Sequence, residues 1–456
     1  MNQFEALGLS PVILKSIRSL GYHEPTPIQR QAIPPALTGR DLMGLAQTGT
    51  GKTAAFGLPL VHHLLAEKYR PASKTVRALI LAPTRELANQ ITTNLRLCVR
   101  NTHLRTCSVI GGASIVTQAR NLSRGTDILV ATPGRLLDLV ERRAVILNKA
   151  KFLVLDEADQ MLDLGFIHAL RKIAKLLGTP RQTLLFSATM PKQIEELSRT
   201  YLSDPVRIEI TPPGRAVDKI VQSVHFVGQS GKTDLLKQCL GASRDDLSLV
   251  FARTKHGAER LMKQLVVGGF AAGSIHGNKT QGQRDRAIKA FRTGEIRVLV
   301  ATDVAARGID IPGVSHVYNY DLPQVPENYI HRIGRTARAG ASGQAVAFCG
   351  PDDTRMLRDI ERLMGISIQV VGGEPPEDHR PDSSRANKTR RRKKGSQSWK
   401  SRSSSPSNGT NGGRAKQNET DHTDVASDRP GSSQPKPANR NRRGKWRPSK
   451  RRRAAA

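Results

Sequence analysis

Short, unbroken apolar runs alternate with stretches of helical spacing through residues 1–370. In the first half the runs are Ala78–Ala82, Asp127–Ala131, Phe152–Leu155 and Thr183–Phe186. Each is bounded by turn or polar positions, as strands buried on both faces of a parallel sheet are. The stretches between them, such as Leu87–Leu97, space their apolar residues as helices do. Thr211-Pro212-Pro213-Gly214-Arg215 interrupts the pattern. It then resumes with Lys219–Val227, Leu247–Ala252, Arg297–Ala301, His316–Tyr320 and Ala345–Phe348. This predicts two α/β doubly wound domains, over 31–208 and 219–372, joined by a linker at 209–218. A ligand is expected in the cleft between them.

Charge changes the picture at one end. The 456-residue chain carries a formal net charge of +33, and residues 381–456 hold 22 Lys/Arg against 5 Asp/Glu, about half of the excess. That segment contains no Leu, Ile, Phe, Met or Tyr, so its composition predicts a disordered basic tail. No apolar run reaches the ~18 residues a membrane span needs. Met1-Asn2-Gln3-Phe4-Glu5 lacks the basic and apolar regions of a secretory signal. Cys98, Cys107, Cys239 and Cys349 lie far apart without CxxC spacing. They predict neither a disulfide framework nor a zinc site, and Cys98 and Cys349 read as core. A reducing, cytoplasmic setting is expected. The positive charge calls for a polyanion, and the absence of an amphipathic helix in the tail favours nucleic acid over a membrane surface.

The strongest chemical signal is Ala46-Gln47-Thr48-Gly49-Thr50-Gly51-Lys52-Thr53. Its glycines free successive backbone N–H groups to wrap phosphates, and the helix that follows adds its positive end. Lys52 is placed to reach the β- and γ-phosphates, and the Thr53 hydroxyl to meet Mg²⁺. Ala46 stands where the strict pattern has Gly. A second Gly-Lys-Thr, at 231–233, has Phe226 at the upstream glycine position and nothing glycine-rich before it, so it reads as structural. Asp156-Glu157-Ala158-Asp159 supports the first loop, because it directly follows the apolar run Phe152–Leu155. A carboxylate at that strand end is where phosphate-loop ATPases hold Mg²⁺, the role expected of Asp156. Glu157 is expected to orient an attacking water and take its proton.

With these motifs in place, residues 1 to about 370 resemble a DEAD-box RNA helicase. The short N-terminus, tight core and basic extension look most like the bacterial RhlE-type subgroup. The resemblance implies two RecA-like parallel-sheet domains in tandem, an adenine-recognition segment over 1–30 and a basic tail over 373–456. Phe4, upstream of Gly21–Gln29, resembles the adenine motif. Gln29 would then hydrogen-bond the base edge, since an amide offers a donor and an acceptor together, and Phe4 would pack on the base. Pro83, Thr84, Arg85, Gly112, Thr132, Pro133, Gly134 and Arg135 match the first domain's RNA-backbone motifs. Arg253, Gln281, Arg284 and Thr302 match those of the second. Such groups bind phosphate without reading bases. Ser187 and Thr189, with Asp159 and His331, are implied to couple hydrolysis to unwinding. Asp310 and the arginine fingers Arg335 and Arg338 are implied to reach ATP across the cleft, where a planar guanidinium neutralises transition-state charge. Ala46 is common in the family's loop. Ala337 stands where many members have Gly, and no loss of function is expected from it.

The resemblance implies RNA-stimulated ATP hydrolysis that opens short RNA duplexes or remodels RNA–protein complexes, with ATP and Mg²⁺ as cofactors. Ribosome assembly and RNA decay both suit it. In the tail, Arg390–Lys394 and Lys450–Arg453 with Trp399 and Trp446 suit an RNA tether that stacks on bases; a merely solubilising tail is the alternative. Two other readings stay open. One is an NTPase acting on DNA or protein, against which only the resemblance speaks. The other is a catalytically silent RNA-binding scaffold, against which Lys52, Glu157, Arg335 and Arg338 speak.

Overall fold

The computed structural model describes residues 3–46, 49–67, 69–210, 220–307, 311, 313–337 and 342–375. Gln47, Thr48, Asp310, Arg338 and the expected tail from 376 onward lie outside the described residues. Among the described residues the chain forms two seven-stranded sheets. The first contains β1 (Leu42–Leu45), β2 (Val76–Leu81), β3 (Thr106–Val109), β4 (Thr126–Ala131), β5 (Phe152–Leu155), β6 (Gln182–Ser187) and β7 (Val206–Glu209). The second contains β8 (Ile220–Phe226), β9 (Leu247–Phe251), β10 (Ala272–Ile275), β11 (Val298–Ala301), β12 (Val314–Asn319), β13 (Gly343–Cys349) and β14 (Gln369–Gly372). Their orders are β3-β4-β2-β5-β6-β1-β7 and β10-β11-β9-β12-β13-β8-β14, one spatial order used twice. Every paired strand is parallel to its neighbour, so each connection crosses over a sheet face.

The unbroken apolar runs have a physical reason in this arrangement. Successive strand residues point to opposite faces, and helices cover both. In β2, Ala78 and Ile80 join one core with Phe56 and Ile28, while Leu79 and Leu81 join another with Leu153 and Met161. β9 divides likewise, with Val250 on one side and Leu249 and Phe251 on the other. One run therefore serves two cores, and every residue of β2, β4 and β6 is buried.

Five strands escape the pattern of apolar runs. β3, β7, β10 and β14 form the sheet edges, where one side has no partner strand and mixed sequences such as Thr-Cys-Ser-Val and Val-Arg-Ile-Glu suffice. β1 lies between β6 and β7, but Gly44 interrupts its sequence. A Cβ there would come within 2.7 Å of the Phe186 ring, so the neighbouring strand's aromatic occupies the space a side chain would need. All four cysteines are free thiols. Burial pushes Cys98 up to about 11 and Cys349 to about 12, as core thiols behave.

Candidate active site

β1 delivers the phosphate loop to the helix Lys52–Ala66. Gly49 and Gly51 take φ of 89° and 93°, a left-handed backbone that glycine adopts without steric cost. At Gly51 a Cβ would also lie 2.4 Å from Gln29 Nε2. Gln29 Nε2 donates to the Gly51 carbonyl at 3.0 Å, and its Oε1 accepts from the Thr26 N–H at 3.0 Å. Gln29 thus ties its helix, Pro27–Leu37, to the loop. Each end of an amide keeps one further hydrogen-bonding position, which leaves Gln29 able to meet a base as well. Lys52 is buried; its Nζ donates to the Ala46 carbonyl at 3.1 Å and lies 3.9 Å from Asp156 Oδ1. A cavity of about 280 Å³ opens here, lined by Tyr22, Thr26, Gln29, Gly49, Gly51, Lys52, Thr53, Asp156 and Glu157 among others.

Phe4 is not among the lining residues. It is 1% exposed in the core with Ile13, Ile28 and Phe56. Tyr22, 39% exposed, presents the aromatic ring at the cavity wall. The difference is one of burial: Phe4 has no polar atom and fills the core, whereas Tyr22 stays partly exposed at the cavity.

The acidic run emerges from β5 into a strained turn. Asp156 and Glu157 are both 2% exposed, and Glu157 takes φ 53° and ψ 54°. A non-glycine residue pays about 1–2 kcal/mol for that conformation, held here by the flanking strand and the helix Ala158–Asp163. Burial drives the Asp156 carboxyl above its ordinary value, against the pull of Lys52. Its Oδ1 accepts no hydrogen bond within the protein. A buried carboxylate oxygen without a donor, in a residue that lines the same cavity as Thr53, fits a hard divalent cation.

Asp159 is fully engaged. Its Oδ2 accepts from the Ala188 N–H at 3.0 Å, the Thr189 N–H at 2.9 Å and the Thr189 hydroxyl at 3.1 Å. Ser187 Oγ in turn accepts from the Asp159 N–H at 3.3 Å. The segments that follow β5 and β6 are therefore tied into one hydrogen-bonded unit. A second cavity of about 880 Å³ borders it, reaching Asp159, Thr189 and His331. Among the described residues its charged lining is Asp159, Asp163 and Glu327, carboxylates that repel a phosphate. His331 and Arg335 come from the helix Pro326–Ile333 and the turn after it. Burial lowers the His331 pKa, with Asp159 opposing. Arg335 is buried, and its Nε donates to the His331 carbonyl at 3.1 Å.

The expected RNA residues lie where strands end. Thr84, Thr132 and Thr302 cap the helices that follow β2, β4 and β11, with Pro83 before the first cap and Pro133-Gly134 opening the second helix. Arg135 donates to the Ala113 carbonyl at 2.9 Å. Arg85 lies against Gly111-Gly112; a Cβ on Gly112 would fall 2.2 Å from its Nη1. Gln281 and Arg284 are committed differently from the expectation of direct RNA contact. Gln281 Nε2 donates to Glu86 Oε1 at 3.1 Å, and Arg284 Nη2 meets Glu86 Oε2 at 3.0 Å. Arg85 Nη1 reaches Gln281 Oε1 at 3.4 Å. The carboxylate next to Arg85 thus bridges the two sheets. Nothing in the local sequence marks Glu86 for this role, because both of its partners lie about 200 residues away.

A family model described as DEAD/DEAH box helicase matches residues 26–197, and one described as helicase conserved C-terminal domain matches 231–340. ATP-dependent RNA helicase CshA of Listeria monocytogenes is 46% identical over 371 residues, 81% of this chain and 70% of that one. The chain belongs to the DEAD-box helicases. It is an ATP-dependent RNA helicase of this type, an ATP-hydrolysing enzyme. S. cerevisiae Dbp5 bound to RNA and ADP BeF3 superposes with a TM-score of 0.73 at 32% identity, over 86% of this chain and 99% of that one. Mss116p bound to ssRNA and AMP-PNP gives 0.73 at 31%, over 82% and 79%. Both sheets of the helicase are therefore RecA-like.

Two further arginines are held by partners distant in the chain. Arg332 donates from Nη2 to Asp303 Oδ2 at 2.8 Å and from Nη1 to Asn319 Oδ1 at 2.9 Å. Arg307 joins Asp163 at 3.2 Å and Asn328 at 2.7 Å. Nothing local in the sequence distinguishes a buried, paired arginine from one that meets a ligand.

Proposed function

We propose that ATP occupies the 280 Å³ cavity, with its phosphates on the loop Ala46–Thr53 and its base near Gln29 and Tyr22. Lys52 answers the phosphate charge. Glu157 accepts a proton as a water oxygen bonds to the γ-phosphorus and the bond to the β–γ bridging oxygen breaks. Arg335, with Arg338 and Asp310, meets the nucleotide from the second domain, where guanidinium groups stabilise the spreading charge. Thr53 and Asp156 would hold Mg²⁺ through the nucleotide; the ion supplies neutralisation of phosphate charge.

RNA binds through its backbone along Thr84, Arg85, Gly112, Thr132–Arg135, Arg253 and Thr302, with Gln281 and Arg284 locking the two domains through Glu86. Since ATP and RNA both favour the closed arrangement, each raises the affinity for the other. The observation that carries this reading is the junction of Asp159 with Ser187–Thr189. It joins the carboxylates that face the nucleotide to the turn beside His331, so closure is sensed at the site of hydrolysis. A cytoplasmic role in ribosome assembly or RNA decay suits an enzyme that grips RNA without reading its sequence. The RhlE-type likeness rests on the short N-terminus and basic extension, while the relative reported above bears the name CshA.

Steady-state ATP hydrolysis without nucleic acid, with RNA and with DNA, alongside Glu157→Gln, tests the reading. RNA is expected to stimulate the wild type, and Glu157→Gln to lose at least ~100-fold in rate. Equal stimulation by DNA would overturn the RNA assignment, and wild-type turnover in the variant the catalytic one.

A further inference from the structure

Lys232 belongs to the Gly-Lys-Thr that reads as structural, and it is 1% exposed. Its helix, Lys232–Ala242, follows β8 as Lys52–Ala66 follows β1. β8 holds the place in the second sheet that β1 holds in the first, and β12 the place of β5. Lys52 lies 3.9 Å from Asp156, just past β5. Lys232 lies 3.6 Å from Asp321, just past β12. The second half therefore repeats the lysine and carboxylate of the phosphate site. Here a further carboxylate, Asp353 at 3.3 Å, answers the lysine's charge from within the protein.

Both carboxylates also hold Arg253. Asp321 Oδ2 accepts from its backbone N–H at 2.9 Å, and Asp353 Oδ1 accepts from its Nη2 at 2.9 Å. Asp353 Oδ2 accepts from Lys232 Nζ at 3.3 Å and the Gly350 N–H at 3.2 Å. The Arg253 side chain remains 42% exposed. Burial works against the charged form of Asp353, but Lys232 and Arg253 outweigh it and hold its pKa below the ordinary value.

We infer that Lys232 is a positioning residue for Arg253: it neutralises Asp321 and Asp353 so that they orient the arginine without withdrawing it from an RNA phosphate. The inference rests on the reading of Arg253 as an RNA-backbone contact. Without Lys232, Asp353 on the guanidinium and Asp321 on the backbone N–H both lose their counter-charge, and the surplus negative charge beside Arg253 competes with a phosphate for it.

The test uses the full chain. ATP hydrolysis is followed against concentrations of a short oligouridylate and of ATP for Lys232→Met, Lys232→Arg, Asp353→Ala, Arg253→Ala and the Lys232→Met/Arg253→Ala pair. Arg253→Ala and Lys232→Met are each expected to raise the KM for RNA roughly three- to tenfold, as loss of a charged hydrogen bond does. Lys232→Met should leave the KM for ATP unchanged at saturating RNA, Lys232→Arg should restore the RNA KM, and the double variant should be no worse than Arg253→Ala alone. A wild-type RNA KM in Lys232→Met, with Arg253→Ala raised, overturns the inference. A silent Arg253→Ala instead overturns the reading of Arg253 and takes the inference with it. If Lys232→Met does not fold, Asp353→Ala decides: a raised RNA KM supports the positioning role, and an unchanged or lowered one overturns it.

Discussion

Lys52 and Lys232 head matching helices in two sheets of one spatial order, and each has an aspartate past the matching strand. Lys52 borders a cavity of about 280 Å³, whereas Lys232 sits among Asp321, Asp353 and the ring of Tyr320. The loops differ in the same sense. Gly51 takes φ 93° at the start of its helix, while Gly231 takes an ordinary −85°. A phosphate site therefore needs more than a lysine at a helix start. It needs a left-handed glycine turn that frees the loop's N–H groups and a lysine that borders open space, without the second carboxylate that Asp353 supplies to Lys232.

The sharpest way to break this comparison is to remove each lysine. Lys52→Met is expected to lower kcat/KM for ATP by roughly 10²–10³, as loss of a charge-stabilising donor does, while Lys232→Met leaves it unchanged at saturating RNA. A fall with Lys232→Met would mean that the second lysine also serves the nucleotide. Stability should reverse the order. Lys232→Met uncovers two carboxylates and is expected to cost about 3 kcal/mol or more in denaturant unfolding. A variant as stable as the wild type would show that the cluster is not a matched set of charges.

Each half also holds one non-glycine residue in left-handed backbone beside its chemistry: Glu157 at φ 53° and Ala337 at φ 54°. Only Glu157 needs its side chain. Ala337→Gly is expected to stabilise the protein by about 1 kcal/mol without loss of hydrolysis, measurable as a raised melting temperature with unchanged kcat. A destabilised variant would contradict the cost assigned to Ala337.

The smallest effect concerns Glu259, which steadies the loop before Gln281. Burial opposes its ionisation, but hydrogen bonds from Ser274, His276 and Lys279 outweigh that and hold it down to about 2, below the usual 4.5. Because the folded value is depressed, its stabilisation is present above 4.5 and is lost as pH falls from there to about 2. Glu259→Gln should therefore melt below the wild type at neutral pH, with the gap closing across that interval. A gap that stays constant with pH would refute the ionic part of its role.

Much of the fold was legible because burial on two faces leaves an unbroken signature. Phe152–Leu155 is apolar at every position since each neighbour faces a different core. Edge strands such as β3 and β7 carry no such demand, and β1 was hidden by the glycine that makes room for Phe186. The phosphate loop and the acidic run were legible for a similar reason: their chemistry is local, a few consecutive residues between a strand and a helix. Glu86, Arg307 and Arg332 were not, because their partners lie far along the chain.

The sequence by itself determined two parallel α/β domains, the family and the short motifs proposed to carry phosphate chemistry, since periodicity and short motifs are local properties. Tertiary structure decided which like residues have like roles. It buried Phe4 and left Tyr22 at the cavity, enclosed Lys232 while leaving Lys52 beside open space, and turned Gln281 and Arg284 onto Glu86. Charge and space in a site are set by whatever the folded chain brings beside a residue, and spacing along the chain does not record that.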